Sequence, residues 1–299
     1  MAISEANKSA RAKRVGSSDA PTVMGVNPYK QPLELWREKT GRVDAPNLDA
    51  KLAIIMGNHL EMPIAQAWAA GRGLHVYADT DSYICSQWDK AVSHIDLRIE
   101  EEPNNIIEVK NRGARQAQHY GESGGDGGDV MPSDYVQCQH HMMCSTWDSV
   151  YLVVYLGGGD LRHFTIERDA DYIDRLLDAE QLFWAHVEDD VPPEMDLRHR
   201  TSAGLIKSMY PSIRPDEIVT LGDFGQSLHE EIERQRQLEK AAKEAGAIAR
   251  TAIQELLGES SFGLIPSGGG YRRKSVKRKA YSVAEVEYVE CRYIKKAPV

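Results

Sequence analysis

The sequence predicts an α/β protein in which helices pack around a β-sheet. Apolar residues recur at helical spacing from Asp49 to Ala70, alternate as in strands from Leu74 to Lys110, and return to helical spacing after Asp169. Helices and strands in this order are typical of a sheet covered by helices. Because 299 residues exceed the usual length of one compact domain, we expect a large core with an appendage.

The composition is that of an ordinary globular protein, with 41% hydrophobic and 27% charged residues. No stretch approaches the roughly 18 apolar residues of a membrane helix. The basic N-terminal segment has no apolar segment behind it, so we expect no secretory signal. The four cysteines are too few and too scattered for a disulfide scaffold. These features predict a cytoplasmic protein with reduced thiols.

The predicted core begins with a GSSD turn, a short helix before Gly41 and a longer helix that Pro63 is expected to kink. Strands follow at LHVYA, SYIC, AVSHIDLRIE and IIEVKN, the last two joined by the turn EEPNN. The glycine-rich segment Gly121–Asp129 should be a mobile loop. A helix from Pro132 to about Trp147, the strands SVYLVVYL and LRHFTIE, and a helix to about His186 complete the core.

The character of the chain changes beyond residue 200, so we predict a core over 1–200 and an accessory region over 201–299. Residues 224–257 are rich in Glu, Lys, Gln and Ala and carry a loose apolar stripe. This pattern predicts one helix or a helical hairpin. We describe the accessory region as a helical hairpin followed by a short β tail. An SGGG linker then leads to a short β tail that ends AEVEYVECRYI.

Two neighbouring predicted strands carry the residues that indicate chemistry. Alternation along AVSHIDLRIE, taken as one strand, sends Ile95, Leu97 and Ile99 to the core and lets His94 and Asp96 emerge together. Alternation along IIEVKN places Glu108 and Lys110 on a common face. If the two strands pair through EEPNN, then Asp96, Glu108 and Lys110 converge.

Two carboxylates and a lysine at one point suit phosphodiester hydrolysis. Mg²⁺ prefers oxygen ligands and stabilises the attacking and leaving oxygens of an in-line displacement. A nearby ammonium can orient or help to deprotonate the attacking water and offset developing charge. The alternative is a solvent-facing strand pair, where Asp, Glu and Lys are common.

The net charge of −9 argues against a protein that coats nucleic acid, because such binding depends on neutralising phosphates. A metal-dependent nuclease is compatible with this charge, since it gathers carboxylates at its centre and needs basic residues only along the DNA. Basic residues cluster near both ends of the chain, and solvated surface charge explains each cluster equally well.

Four segments in order resemble the YqaJ-type viral recombinase and phage lambda exonuclease family. They are RVGSSDAPTVMGVNPYKQPLELWREKTG, MGNHLEMPIAQAW, QCQHHMMCSTWDSVYLVVY and FTIERD. They surround the carboxylate–lysine pair and extend over residues 11 to about 190. The resemblance implies a PD-(D/E)xK restriction-endonuclease-like core, which is a central mixed β-sheet flanked by helices, with a helical and β extension at the C-terminus.

The resemblance also implies roles for individual residues. The implied metal ligands, for a two-metal Mg²⁺ site in which Mn²⁺ can substitute, are Asp96, Glu108, the Val109 carbonyl and Glu61. Lys110 would be the water-activating base or orienter, and Gln137 would touch the active site. The implied ligands of a terminal 5′ phosphate are Ser18, His94 and either Arg11 or Arg14. The family has a serine where this sequence has His94. The His94 side chain can donate a hydrogen bond to a phosphate or be a partner of Asp96.

The function implied is 5′ to 3′ exonuclease digestion of linear duplex DNA, leaving 3′ overhangs for homologous recombination. The family implies a homotrimer, a single-strand annealing partner protein and a phage or prophage gene in a bacterial host. One alternative is an endonuclease or bidirectional repair nuclease on the same core. The other is a non-catalytic recombination scaffold.

One helical stripe allows a second interpretation. Gln137, His140, His141 and Cys144 recur at helical spacing, as zinc ligands on a helix do. The sequence offers no further ligand at a convincing spacing. Core packing together with one catalytic Gln is therefore the favoured interpretation of this stripe.

Overall fold

The computed structural model describes residues 13–46, 51–95, 97–126, 128–214 and 217–277. The chain divides into two compact units, Met1–Ile213 and Arg214–Val299. The sequence suggests a division at residue 200, whereas the first unit also includes a helix at Ser202–Met209. This helix belongs to the first unit because its Leu205 is buried among Val15, Leu33 and other core residues.

A five-stranded mixed sheet forms the centre of the first unit. Its strands are β2 Val76–Ala78, β5 Leu97–Ile99, β6 Asn105–Asn111, β7 Ser149–Tyr155 and β8 Leu161–Glu167, and they lie side by side in this order. Strands β6 and β7 run parallel, and the other neighbours are antiparallel. The near-continuous apolar sequence of β7 fits its central position, since both of its faces are covered.

Helices cover both faces of this sheet, which confirms the predicted fold class. The helices of the first unit are α1 Ala20–Val23, α2 Pro32–Lys39, α3 Leu52–Ala70, α4 Pro132–Met143, α5 Ala170–Glu188 and α6 Ser202–Met209. Alternation along β6 sends Ile107 to the face that α3 covers, where it packs with Trp68. Ile106 faces the opposite way and packs against α4 and α5.

The segment AVSHIDLRIE is not the single strand that its alternation predicts. Ala91–His94 forms β4, which pairs with β1 (Val15–Gly16) and β3 (Ser82–Ile84) in a separate three-stranded sheet. Only Leu97–Ile99 joins the central sheet. Ile95 and Leu97 therefore do not share one core face, since they are buried in different apolar clusters. Ile95, Leu97 and Ile99 are all buried although the break lies between the first two of them, so the sequence pattern does not reveal it.

Two further segments differ in detail from their predictions. The glycine-rich segment is partly ordered against β8, since the Gly124 amide donates to the His163 carbonyl and Gly125 bridges to Phe164. Helix α4 ends at Met143, before the predicted Trp147. A 3₁₀ helix, Ala114–His119, follows β6.

In the part of the second unit that the structure describes, residues 222–257 form one long helix, α7 Gly222–Leu257, and not a helical hairpin. Ion pairs one turn apart, such as Glu231 with Arg234 and Glu239 with Lys243, support a continuous helix. Gly246 lies in the interior of this helix, and one such glycine weakens a helix by about 1 kcal/mol without ending it. The SGGG segment is the turn between β9 Phe262–Leu264 and β10 Gly270–Arg272, with positive φ at Gly268 and Gly269. The predicted tail AEVEYVECRYI lies outside the described residues.

Within the described residues, no helix combines the length and the apolar character needed to cross a membrane.

Candidate active site

The structure brings three of the predicted site residues together on one face of β6. The Lys110 ammonium donates to Glu108 Oε1 at 2.6 Å and to Gln137 Oε1 at 2.7 Å. The Gln137 amide nitrogen donates to the same Glu108 oxygen at 3.0 Å. Glu108 and Lys110 come from alternate positions of the strand, and Gln137 comes from α4 above it. We call this arrangement the Glu108 cluster.

A fourth side chain, which the sequence analysis did not assign to the site, completes the Glu108 cluster. His141 Nε2 lies 3.2 Å from Glu108 Oε2, on the side of the carboxylate away from Lys110. Its Nδ1 lies 2.6 Å from Ser93 Oγ, which is buried on β4. The signal in the sequence is the spacing of four between Gln137 and His141, which places both on one face of a helix.

The ionisation states in the Glu108 cluster follow from its burial and charges. Burial raises the pKa of Glu108, but Lys110 and His141 outweigh it and lower the pKa to about 2. Burial lowers the pKa of Lys110, but the carboxylates of Glu108 and Asp134 outweigh it and leave the pKa raised. At neutral pH the cluster therefore holds an ionised carboxylate against an ammonium.

The position of Glu108 follows from where β5 stops pairing with β6. The register of these strands aligns Leu97 with Ile107 and Arg98 with Ile106. Toward Glu108 this ladder ends at the Leu97–Ile107 pair, and Asp96, the next residue on β5's side, lies outside the described residues. On its other edge, β6 remains paired with β7 through Asn111. Glu108, Val109 and Lys110 therefore lie on a stretch of β6 that is paired with β7 on one edge and is not paired with β5 on the other.

The donor set of the Glu108 cluster suits a hard cation. An ionised carboxylate and the nearby amide oxygen of Gln137 are oxygen donors of the kind that Mg²⁺ prefers. The Glu108 side chain keeps 11% of its surface exposed, so an ion from solvent can reach it. Glu61, the other predicted carboxylate ligand, is half-buried on α3, and α3 packs against the opposite face of β6. The metal roles of Glu61 and of the Val109 carbonyl stay predictions.

Three of the four residues predicted to hold a 5′ phosphate, Arg14, Ser18 and His94, lie near the small sheet. Strand β1 pairs in parallel with β4, with Gly16 beside Val92, and Ser18 and His94 each follow two residues later. Ser18 is exposed, and His94 Nε2 lies 2.9 Å from Ser82 Oγ. Arg14 Nε donates to the Asp89 carbonyl at 2.9 Å. Arg11 lies outside the described residues. The phosphate role of all four stays a prediction.

The zinc interpretation of the α4 stripe is not supported by the described residues. His140 turns away from Gln137 and meets Glu180 Oε1 at 2.8 Å and the Val92 carbonyl at 3.1 Å. Among the described side chains, the group with three donor atoms close enough to share an ion is His75, Glu100 and Glu101. That group is exposed and lies next to the Ile99 end of β5.

The sequence around this site is similar to a known protein family. Residues 8–148 match the sequence model of the YqaJ-like viral recombinase domain. The predicted resemblance to this family is confirmed. The YqaJ-like region contains the whole Glu108 cluster together with Ser93.

A curated relative is the uncharacterized protein YqaJ of Bacillus subtilis (strain 168), which is 29% identical over 177 residues. The similarity covers 58% of this chain and 53% of the relative, so the chain spans about half the length of that relative.

Among solved structures, similarity is found to the alkaline exonuclease LHK-Exo of Laribacter hongkongensis, with a TM-score of 0.49 and 19% identity. It covers 61% of this chain and 92% of that one. The complex of LHK-Exo with dAMP also gives a TM-score of 0.49, at 18% identity, and covers 61% and 91% of the two chains.

Proposed function

We propose that this protein is a Mg²⁺-dependent exonuclease that digests one strand of linear duplex DNA from the 5′ end and leaves a 3′ overhang for homologous recombination. The observation that carries the proposal is the Glu108 cluster. It holds an ionised carboxylate and an ammonium on one strand, within the region that matches the YqaJ-like viral recombinase domain.

In this proposal Asp96, Glu108, Glu61 and the Val109 carbonyl hold the metal, as the family resemblance implies. Mg²⁺, when bound, stabilises the attacking and leaving oxygens of the scissile phosphate. Glu108 suits this role because its low pKa keeps the carboxylate charged at any pH near neutrality.

Lys110 acts as an orienting and charge-stabilising group in this proposal. Its pKa is raised, so its nitrogen keeps its proton at neutral pH and donates hydrogen bonds instead of accepting a proton from water. An ammonium beside the reacting phosphate stabilises the negative charge that develops in the transition state. Of the two roles that the resemblance allows, base or orienter, this ionisation state favours the orienter.

Gln137 has a supporting role in the proposed mechanism. Its amide oxygen accepts from Lys110 while its amide nitrogen donates to Glu108, so one side chain fixes the orientation of both. A carboxylate and an ammonium held in this way lose little freedom when the substrate binds.

The direction of digestion is assigned to a 5′-phosphate site made of Ser18, His94 and Arg11 or Arg14. A site that holds the terminal phosphate makes the enzyme prefer ends that carry one. The proposed assembly is a homotrimer that works with a single-strand annealing protein.

One assay tests substrate, metal and direction together. Duplex DNA labelled at a single end, with or without a 5′ phosphate, is digested by the whole protein in Mg²⁺ or in chelator. We expect Mg²⁺-dependent loss of the 5′-terminal strand, faster with the phosphate, and no cutting of covalently closed circles. Cutting of closed circles would indicate an endonuclease, and no digestion of any DNA in Mg²⁺ or Mn²⁺ would refute the nuclease proposal.

A further inference from the structure

We infer that His141 is a positioning residue that, together with Ser93, fixes the carboxylate of Glu108 for metal binding. The inference rests on the proposed function for its consequence, because it assumes that Glu108 holds the metal. Its structural basis is the continuous contact from Ser93 on β4, through the His141 ring, to Glu108 on β6.

The His141 ring makes one hydrogen bond on each side. A carboxylate oxygen accepts hydrogen bonds, so Nε2 of His141 is the donor to Oε2 of Glu108. On the other side of the ring, Nδ1 and the Ser93 hydroxyl form the second hydrogen bond. Ser93 has no exposed surface and His141 only 1%, so water does not replace either partner.

The three donors to Glu108 divide between its two oxygens. Oε1 receives both Lys110 and Gln137, whereas Oε2 receives His141. Removing His141 leaves Oε2 without this donor and frees the carboxylate to turn about its last bond. Outer partners that orient a ligating carboxylate in this way typically contribute about 10- to 100-fold to metal affinity or activity.

The contact also joins the two sheets of the first unit. Ser93 belongs to the small sheet and Glu108 to the central one. Strand β4 ends at His94, a predicted phosphate ligand, and the predicted metal ligand Asp96 follows two residues later in the sequence. His141 therefore links β6, which carries the predicted metal ligand Glu108, to β4, which precedes the predicted metal ligand Asp96 in the sequence.

The adjacent His140 provides a matched control on the same helix. It is equally buried, and it also holds β4, through the Val92 carbonyl. Its other partner is Glu180 on α5 and not Glu108. Loss of His140 should weaken the fold without changing the orientation of the Glu108 carboxylate.

The experiment measures binding of Mn²⁺ alone, without DNA, by the electron paramagnetic resonance signal of the free ion. His141→Leu should weaken Mn²⁺ binding by about 10- to 100-fold and raise the Mg²⁺ concentration needed for half-maximal digestion by a similar factor. His141→Gln should restore most of the affinity, because its amide can donate to Glu108 and accept from Ser93. Ser93→Ala should give a smaller loss of the same kind. His140→Gln should lower the thermal midpoint and leave Mn²⁺ binding unchanged.

Wild-type Mn²⁺ affinity in folded His141→Leu would overturn the inference. It would also be overturned if folded His141→Gln bound Mn²⁺ no more tightly than His141→Leu. If His141→Leu does not fold, Ser93→Ala decides: unchanged Mn²⁺ binding then overturns the inference. Failure of the proposed function is separate, since a wild-type protein that binds Mn²⁺ but digests no DNA would refute the nuclease and not the positioning role.

Discussion

The central feature at the scale of single residues is a buried carboxylate held by three hydrogen-bond donors. An unpaired ion at this depth would be expelled or neutralised, because burial penalises charge by several kcal/mol. Lys110, Gln137 and His141 together offset that penalty for Glu108. Such arrangements are common where a charge serves chemistry, since strongly shifted pKa values cluster at functional sites.

The shifted pKa of Glu108 predicts how stability depends on pH. Its pKa falls from 4.5 to about 2 on folding, so the stabilisation by the ionised form is complete above 4.5 and is lost as pH falls toward 2. Wild-type protein should therefore be more stable than Glu108→Gln at neutral pH, and the difference should shrink below 4.5. Urea unfolding of both proteins in metal-free buffer measures it. A difference that stays constant across this window would contradict the assigned ionisation.

Individual site residues differ in how well the sequence predicts them. Glu108 and Lys110 follow from strand alternation, which places positions two apart on one face. Gln137 was predicted only through the family resemblance. The roles of His141 and Ser93 were missed, because their contact joins a helix to a strand 48 residues away, and periodicity carries no information on such contacts.

The decisive feature at the scale of elements is the break between β4 and β5. The sequence predicts the helices and strands of the core well, because each of them has a regular apolar period. It does not predict that AVSHIDLRIE belongs to two sheets, since the choice of partner strands decides this. The long helix α7 differs from the predicted hairpin for a similar reason, because no strong turn signal interrupts it.

The central position of β7 gives a prediction for stability. Leu152 is fully buried against Ile106 and Phe164, so Leu152→Ala should lower the free energy of unfolding by about 2–5 kcal/mol. Leu182 on α5 is 66% exposed, and Leu182→Ala should change it by less than about 0.5 kcal/mol. Chemical denaturation of the two variants measures the difference. Equal effects would contradict the assigned core.

At the scale of the whole molecule, the candidate active site lies in the first unit. The three described apolar clusters and the Glu108 cluster all lie before Arg214, while α7 in the second unit has no buried residue. The net charge of −9 is compatible with the proposed nuclease, because such an enzyme gathers carboxylates at its centre and needs basic residues only along the DNA. The proposed nuclease activity therefore depends on the Glu108 cluster.

The most direct test is the rate of Mg²⁺-dependent digestion of linear duplex DNA by Lys110→Met. Lys30→Met is the matched control, because it removes a part-buried ion pair of similar length, with Glu38, far along the chain from β6. We expect Lys110→Met to lose at least about 100-fold in rate while it still unfolds cooperatively, and Lys30→Met to stay near the wild-type rate. Digestion by folded Lys110→Met at the wild-type rate would contradict the assignment of the active site.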